Sequence, residues 1–110
     1  MVSSKKTLFS ESQQETAEIF RLLGHPARIL ILEILGQKGE CHSGELAAAI
    51  PLGRSTVNQH LNELAGAGLI RRSQHGSHVI YQIDKDRMKK AARYTKVFWK
   101  SMKNKKKEGK

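Results

Sequence analysis

The feature that most constrains this chain is a three-residue break, Pro51-Leu52-Gly53, between two helical patterns. The pattern of residues 44–50 stops there and resumes at once from Arg54 to Ala67. In the second stretch Val57, Leu61 and Leu64 stand at i, i+4 and i+7, one apolar stripe. Helix, tight turn and helix therefore follow one another directly. Gly66 and Gly68 end the second helix, and two segments of β-forming residues, 69–74 and 79–83, then flank His75-Gly76-Ser77-His78. That arrangement predicts a β-hairpin with a glycine-containing loop.

The flanking segments supply cover for this unit. Ser12 to Leu23 sets Ala17, Ile19, Phe20, Leu22 and Leu23 on a helical stripe, with Gly24 as a stop. Pro26 suits the first position of a second helix, which is apolar almost all round (Ile29, Leu30, Ile31, Leu32, Ile34, Leu35) until Gly36. Residues 37–40 read as a loop, Glu40 to His42 as a short strand, and Ser43 as the cap of the helix over 44–50. Asp84 caps a last helix, in which Met88, Ala91, Thr95, Phe98 and Met102 recur every three or four residues with Tyr94 and Trp99 beside them. The predicted order is ααβααββα, an α+β fold that is mostly α.

A chain of 110 residues has room for one core. The lone Cys41 excludes an internal disulfide framework and fits a reducing, cytoplasmic setting. No apolar run is long enough for a membrane span, and the first residues lack the apolar run of a signal peptide. The net charge of +10 points to a polyanionic partner, yet residues 1–84 carry eight basic and eight acidic side chains. All of the excess lies in residues 85–110, twelve basic against two acidic, a stretch that reads first as a solvated, basic end.

The reading surface is therefore sought in the helix after the break. With Val57, Leu61 and Leu64 turned inward, Arg54, Ser55, Asn58, Gln59 and Asn62 face outward or to the flanks, and Thr56 and His60 lie at the boundary. Asn and Gln make paired hydrogen bonds to adenine in a major groove, while Arg54, Ser55 and Thr56 at the helix start suit phosphates. No acidic residue interrupts this face before Glu63. In the hairpin, Arg71, Arg72, His75 and His78 bring cationic or protonatable groups near the loop, as a wing lying along a DNA backbone requires. A charge-protected edge hairpin is the plainer reading of the same residues.

The segments IFRLLGHPARILILEIL and GELAAAI-PLGRSTVNQHLNELAGAGLIRRSQHGSHVIYQI resemble the ArsR/SmtB-type winged helix-turn-helix repressors over roughly residues 16–84. The resemblance implies a homodimer that grips two symmetric half-sites of double-stranded DNA; the apolar stripes that the first and last helices would otherwise expose make those helices the expected seam. It carries Ser55, Thr56, Asn58, Gln59 and His60 onto the reading helix. Residues 12–102 then form the DNA-binding and dimerisation domain, between a flexible lead, 1–11, and a disordered basic tail, 103–110.

The sensing patterns of such repressors are incomplete here. Ser43 stands where a Cys-x-Cys metal pair needs its second thiol, and no His follows His78 in the last helix. A transition metal is therefore not expected as the signal, no other cofactor is implied, and the residues name no inducer. Cys41 is a candidate redox residue, with a buried, inert thiol as the alternative. Scattered histidines and the lack of a phosphate-binding glycine loop argue against an enzyme. The remaining rival is a basic amphipathic module for a protein or membrane surface, built on Tyr94, Phe98, Trp99 and Met102 amid lysines.

Overall fold

The computed structural model describes residues 8–103. Helix α1 spans Glu11–Leu22, α2 Pro26–Lys38, β1 Glu40–His42, α3 Ser43–Ala49, α4 Arg54–Gly66, β2 Ile70–His75, β3 His78–Ile83 and α5 Lys85–Ser101. The order matches the sequence expectation, and the differences lie at the ends of elements.

Helix α1 starts before the expected Ser12 because Ser10 and Gln13 form a reciprocal capping box. Ser10 Oγ accepts from Gln13 N and Gln13 Oε1 from Ser10 N, both at 3.0 Å. The inward stripe of α1 is Thr16, Ile19 and Leu22, so Ala17, expected on it, is exposed. Helix α2 runs through Gly36 to Lys38 and stops at Gly39, whose φ of 88° is open to glycine at little cost. The first residue of α3 is Ser43, not its cap; Glu45 Oε1 accepts from His42 N at 2.9 Å, which places the cap at His42. Asp84 caps α5 as expected, its Oδ1 accepting from Arg87 N at 3.0 Å. Residues 1–7 of the expected lead and 104–110 of the expected tail lie outside the described residues.

The strands form one antiparallel sheet in the order β1-β3-β2. Cys41 pairs with Tyr81 on one side of β3, and Ile70 with Ile83 through to His75 with His78 on the other. The hairpin turn is thus two residues, Gly76-Ser77, tighter than the expected four-residue loop. Gly76 has φ 63° and Ser77 a negative φ, as a turn with glycine first demands.

One core holds all of this together. Ile31 and Leu35 of α2, Cys41 of β1, Leu46 of α3, Val57, Leu61 and Leu64 of α4 and Ile70 of β2 are its fully buried side chains, with Tyr81 of β3 and Ala91 of α5 beside them. Each large aliphatic side chain so buried is worth about 1.5–3 kcal/mol relative to exposure.

Candidate nucleic-acid interface

Helix α4 is seated from below and open above. Val57, Leu61 and Leu64 have no exposed surface, while Arg54, Ser55, Thr56, Asn58, Gln59 and Asn62 are exposed. Its cap is Gly53, which offers no side-chain acceptor, and its first turn has no acidic residue. The backbone N–H groups of Arg54, Ser55 and Thr56 therefore point outward without intrahelical acceptors, at the positive end of the helix dipole. A phosphate oxygen satisfies such donors, and the hydroxyls of Ser55 and Thr56 add to them. One to two turns further on, Asn58, Gln59 and Asn62 offer paired donors and acceptors.

His60 departs from the expectation. It is 8% exposed and turned into the protein, because position 60 continues the inward row 57, 61, 64. Its Nδ1 accepts from Arg28 Nε at 3.0 Å, its ring lies 4.2 Å from that of His25, and Arg28 Nη1 also donates to Leu22 O at 3.2 Å. His60 thus ties α4 to α2 and, through Arg28, to the end of α1. An exposed pair supports the same junction, Arg21 Nη1 to Glu63 Oε1 at 3.6 Å, with Glu18 on the far side of Arg21 at 2.7 Å. Sequence reasoning missed Arg28 and His25; the signal for His60 was its i+3 spacing from Val57 and i−4 spacing from Leu64.

Burial, with His25 and Arg28 nearby, holds the His60 pKa below its ordinary 6.5. Glu63 acts the other way but is outweighed. The unfolded chain therefore takes up this proton more readily than the folded one. The contribution of His60 to stability is complete above about pH 6.5 and is lost as pH falls below it. Lowering pH from about 7.5 to about 5.5 is expected to reduce the urea midpoint less in His60→Gln, which keeps an acceptor for Arg28 without titrating, than in wild type. Equal reductions would contradict this.

The hairpin places Arg71, Arg72, His75 and His78 on one projecting element, all exposed, and β2 packs against α4. Arg71 lies opposite Gln82, whose Nε2 donates to Glu40 Oε1 at 3.1 Å. Arg72 lies opposite Tyr81. His75 Nε2 sits 3.1 Å from Ser73 Oγ, and the His78 ring stacks on that of His42 at 5.0 Å, fixing the wing to the start of α3.

Cys41 is not placed for redox sensing. It is 1% exposed in β1, and burial, followed by the charge of Glu45, pushes its thiol pKa up, which disfavours the reactive thiolate. Among the described residues no three His, Cys, Asp or Glu side chains converge as a metal site. No described helix is long and apolar enough to cross a membrane.

Away from α4, helices α1 and α5 leave apolar surface uncovered. Phe20, Val97, Trp99 and Met102 are exposed, and the Phe20 ring meets Phe98 edge-on at 5.5 Å and Trp99 at 6.1 Å. A groove of about 420 Å³ runs beside them, lined by Thr16, Ala17, Phe20, Val97 and Phe98 among others.

A helix-turn-helix whose second helix shows amides, hydroxyls and free N–H groups, followed by a cationic hairpin, defines a winged helix-turn-helix DNA-binding domain. Residues 25–72 match the model for bacterial regulatory proteins of the arsR family. An HTH-type transcriptional regulator of Methanocaldococcus jannaschii is 32% identical over 79 residues, 72% of this chain and 89% of the relative. The biofilm growth-associated repressor of Agrobacterium fabrum is 32% identical over 85 residues, 77% of this chain and 69% of that protein. The crystal structure of Mycobacterium tuberculosis Rv0081 superposes with a TM-score of 0.66 at 32% identity, covering 86% of this chain and 95% of that one. Against the full Rv0081 sequence the match spans 59% of its length. The chain belongs to the ArsR family of transcriptional regulators.

Proposed function

We propose that this protein is a cytoplasmic, homodimeric repressor that reads a two-fold symmetric operator with α4 and steadies the complex with its wing. The observation that carries this reading is the outward row Arg54, Ser55, Thr56, Asn58, Gln59 and Asn62 on a helix anchored by Val57, Leu61 and Leu64. Arg54, Ser55 and Thr56 bind phosphate and set the register; Asn58, Gln59 and Asn62 face base edges. Arg71, Arg72, His75 and His78 track the backbone beside the groove. The exposed apolar sides of α1 and α5 form the seam between two copies, which puts two reading helices on successive half-sites. Repression is supported by the Agrobacterium fabrum relative, which is named a repressor. With Ser43 in place of a thiol and Cys41 buried, the signal runs through neither a metal–thiolate site nor oxidation of Cys41.

The test is selection of bound duplexes from a random pool, followed by affinity measurements on selected and random DNA. Gln59→Ala is expected to lose about 1–3 kcal/mol of discrimination between the two, the value of a paired base contact. Equal weakening on both duplexes would remove Gln59 from base reading.

A further inference from the structure

Helix α5 carries a charged surface that DNA reading by α4 leaves unused. Lys85, Lys89, Arg93, Lys96 and Lys100 succeed one another at spacings of four, four, three and four residues, and all are exposed. At about 100° per residue they fall within an arc of roughly 80° over a rise of roughly 22 Å, and no other residue of α5 falls inside that arc. The helix packs through its other side, where Ala91, Met88 and Tyr94 meet the core. Among the described residues none of the five cations has an ion-pair partner. Like charges at i, i+4 repel one another, so the fold gains nothing from this row. The row begins at the base of the wing, where Asp84 N donates to Leu69 O at 2.9 Å.

From this ridge we infer a second binding surface, one that holds the phosphate backbone of double-stranded nucleic acid without regard to sequence. A duplex presents one charge per about 1.7 Å of its axis, so roughly thirteen phosphates lie along a ridge of this length. Lysine and arginine on flexible stems match such an array without a fixed register, and release of condensed counterions drives the association. A lipid surface fits less well. A helix lying in a membrane interface buries an apolar face in the lipid, whereas Ala91, Met88 and Tyr94 of α5 pack on the protein and its exposed Val97 and Trp99 are assigned above to the seam between two copies. The inference takes its class of partner from the DNA-binding reading but concerns a different helix.

The experiment uses the full chain and a quadruple variant, Lys89→Gln with Arg93→Gln, Lys96→Gln and Lys100→Gln, with Arg93→Gln alone as a milder companion. Affinity for a random duplex and for a selected one is measured over a series of salt concentrations, and sedimentation checks the oligomeric state. The slope of log affinity against log salt is expected to fall by about 0.9 per lost contact, so by about 3–4 in the quadruple variant and about one in Arg93→Gln. The ratio of selected to random affinity stays unchanged. An unchanged slope in the single variant overturns the inference even if the quadruple variant assembles poorly. Loss of binding to phosphatidylserine vesicles, with duplex binding intact, overturns it in favour of a membrane. Gln59→Ala separates the two readings: if it leaves the ratio untouched while the ridge variants lower the slope, the assignment of Gln59 fails and the ridge stands.

Discussion

Leu61→Ala is expected to remove about 2–5 kcal/mol of folding stability, and DNA binding at physiological temperature with it. Leu61 is fully buried in α4, between Val57 and Leu64 along the same stripe. Truncation there leaves a cavity under the reading helix, in the core that α4 shares with α2, and a close-packed interior closes such a space only in part. A domain of this size has about 5–15 kcal/mol in all, so the loss is a large share. Urea unfolding measures it, with Asn58→Ala as the control: Asn58 is exposed one turn away and is expected to change stability by no more than about 0.5 kcal/mol. A Leu61→Ala protein as stable as Asn58→Ala would mean that α4 is not anchored as described.

Trp99→Ala is expected to weaken dimerisation by about 2 kcal/mol or more, roughly thirtyfold in dissociation constant, because buried tryptophans dominate interface energetics. Trp99 is 58% exposed in the single chain, so its loss leaves the monomer fold largely intact. Phe98 is a less clean choice, being half-buried against Phe20. Sedimentation across micromolar concentrations gives the result, and circular dichroism the control. An unchanged dimer would place the seam elsewhere. A weakened dimer should also bind a two-half-site duplex more weakly while binding a single half-site as before.

The elements that were legible in the sequence are those whose signals are local. The stripe Val57, Leu61, Leu64 announced α4, and the glycine between two β-forming runs announced the wing. The ends of elements were less legible where two residues could serve. Ser10 with Gln13 and Ser12 with Glu15 fit the same capping pattern, and only the reciprocal bond between Ser10 and Gln13 decides between them. Gly36 looked like a stop, yet it sits inside α2, and Gly39 is the residue that adopts a positive φ. The burial of His60 is illegible for a different reason. A polar ring at the edge of an apolar stripe reads as a surface group unless its partner is visible, and that partner, Arg28, is 32 positions away. Nothing in the local sequence joins the two.

The strand β1 has a bearing on how the domain comes together. Its three residues meet β3 through Cys41 opposite Tyr81, forty positions along the chain, and everything between them, α3, α4 and β2, is enclosed by that one pairing. Contacts so distant in sequence carry a loop-closure entropy and slow the search for the native state. The hairpin and the individual helices are local structures, whereas the pairing of residue 41 with residue 81 adds a long-range closure to the packing of α3 and α4 on α2. An excised piece holding the two helices alone would have the reading residues without the clasp. The short strand β1 thus closes a ring around the helix-turn-helix, a long-range constraint added to the local packing of its helices.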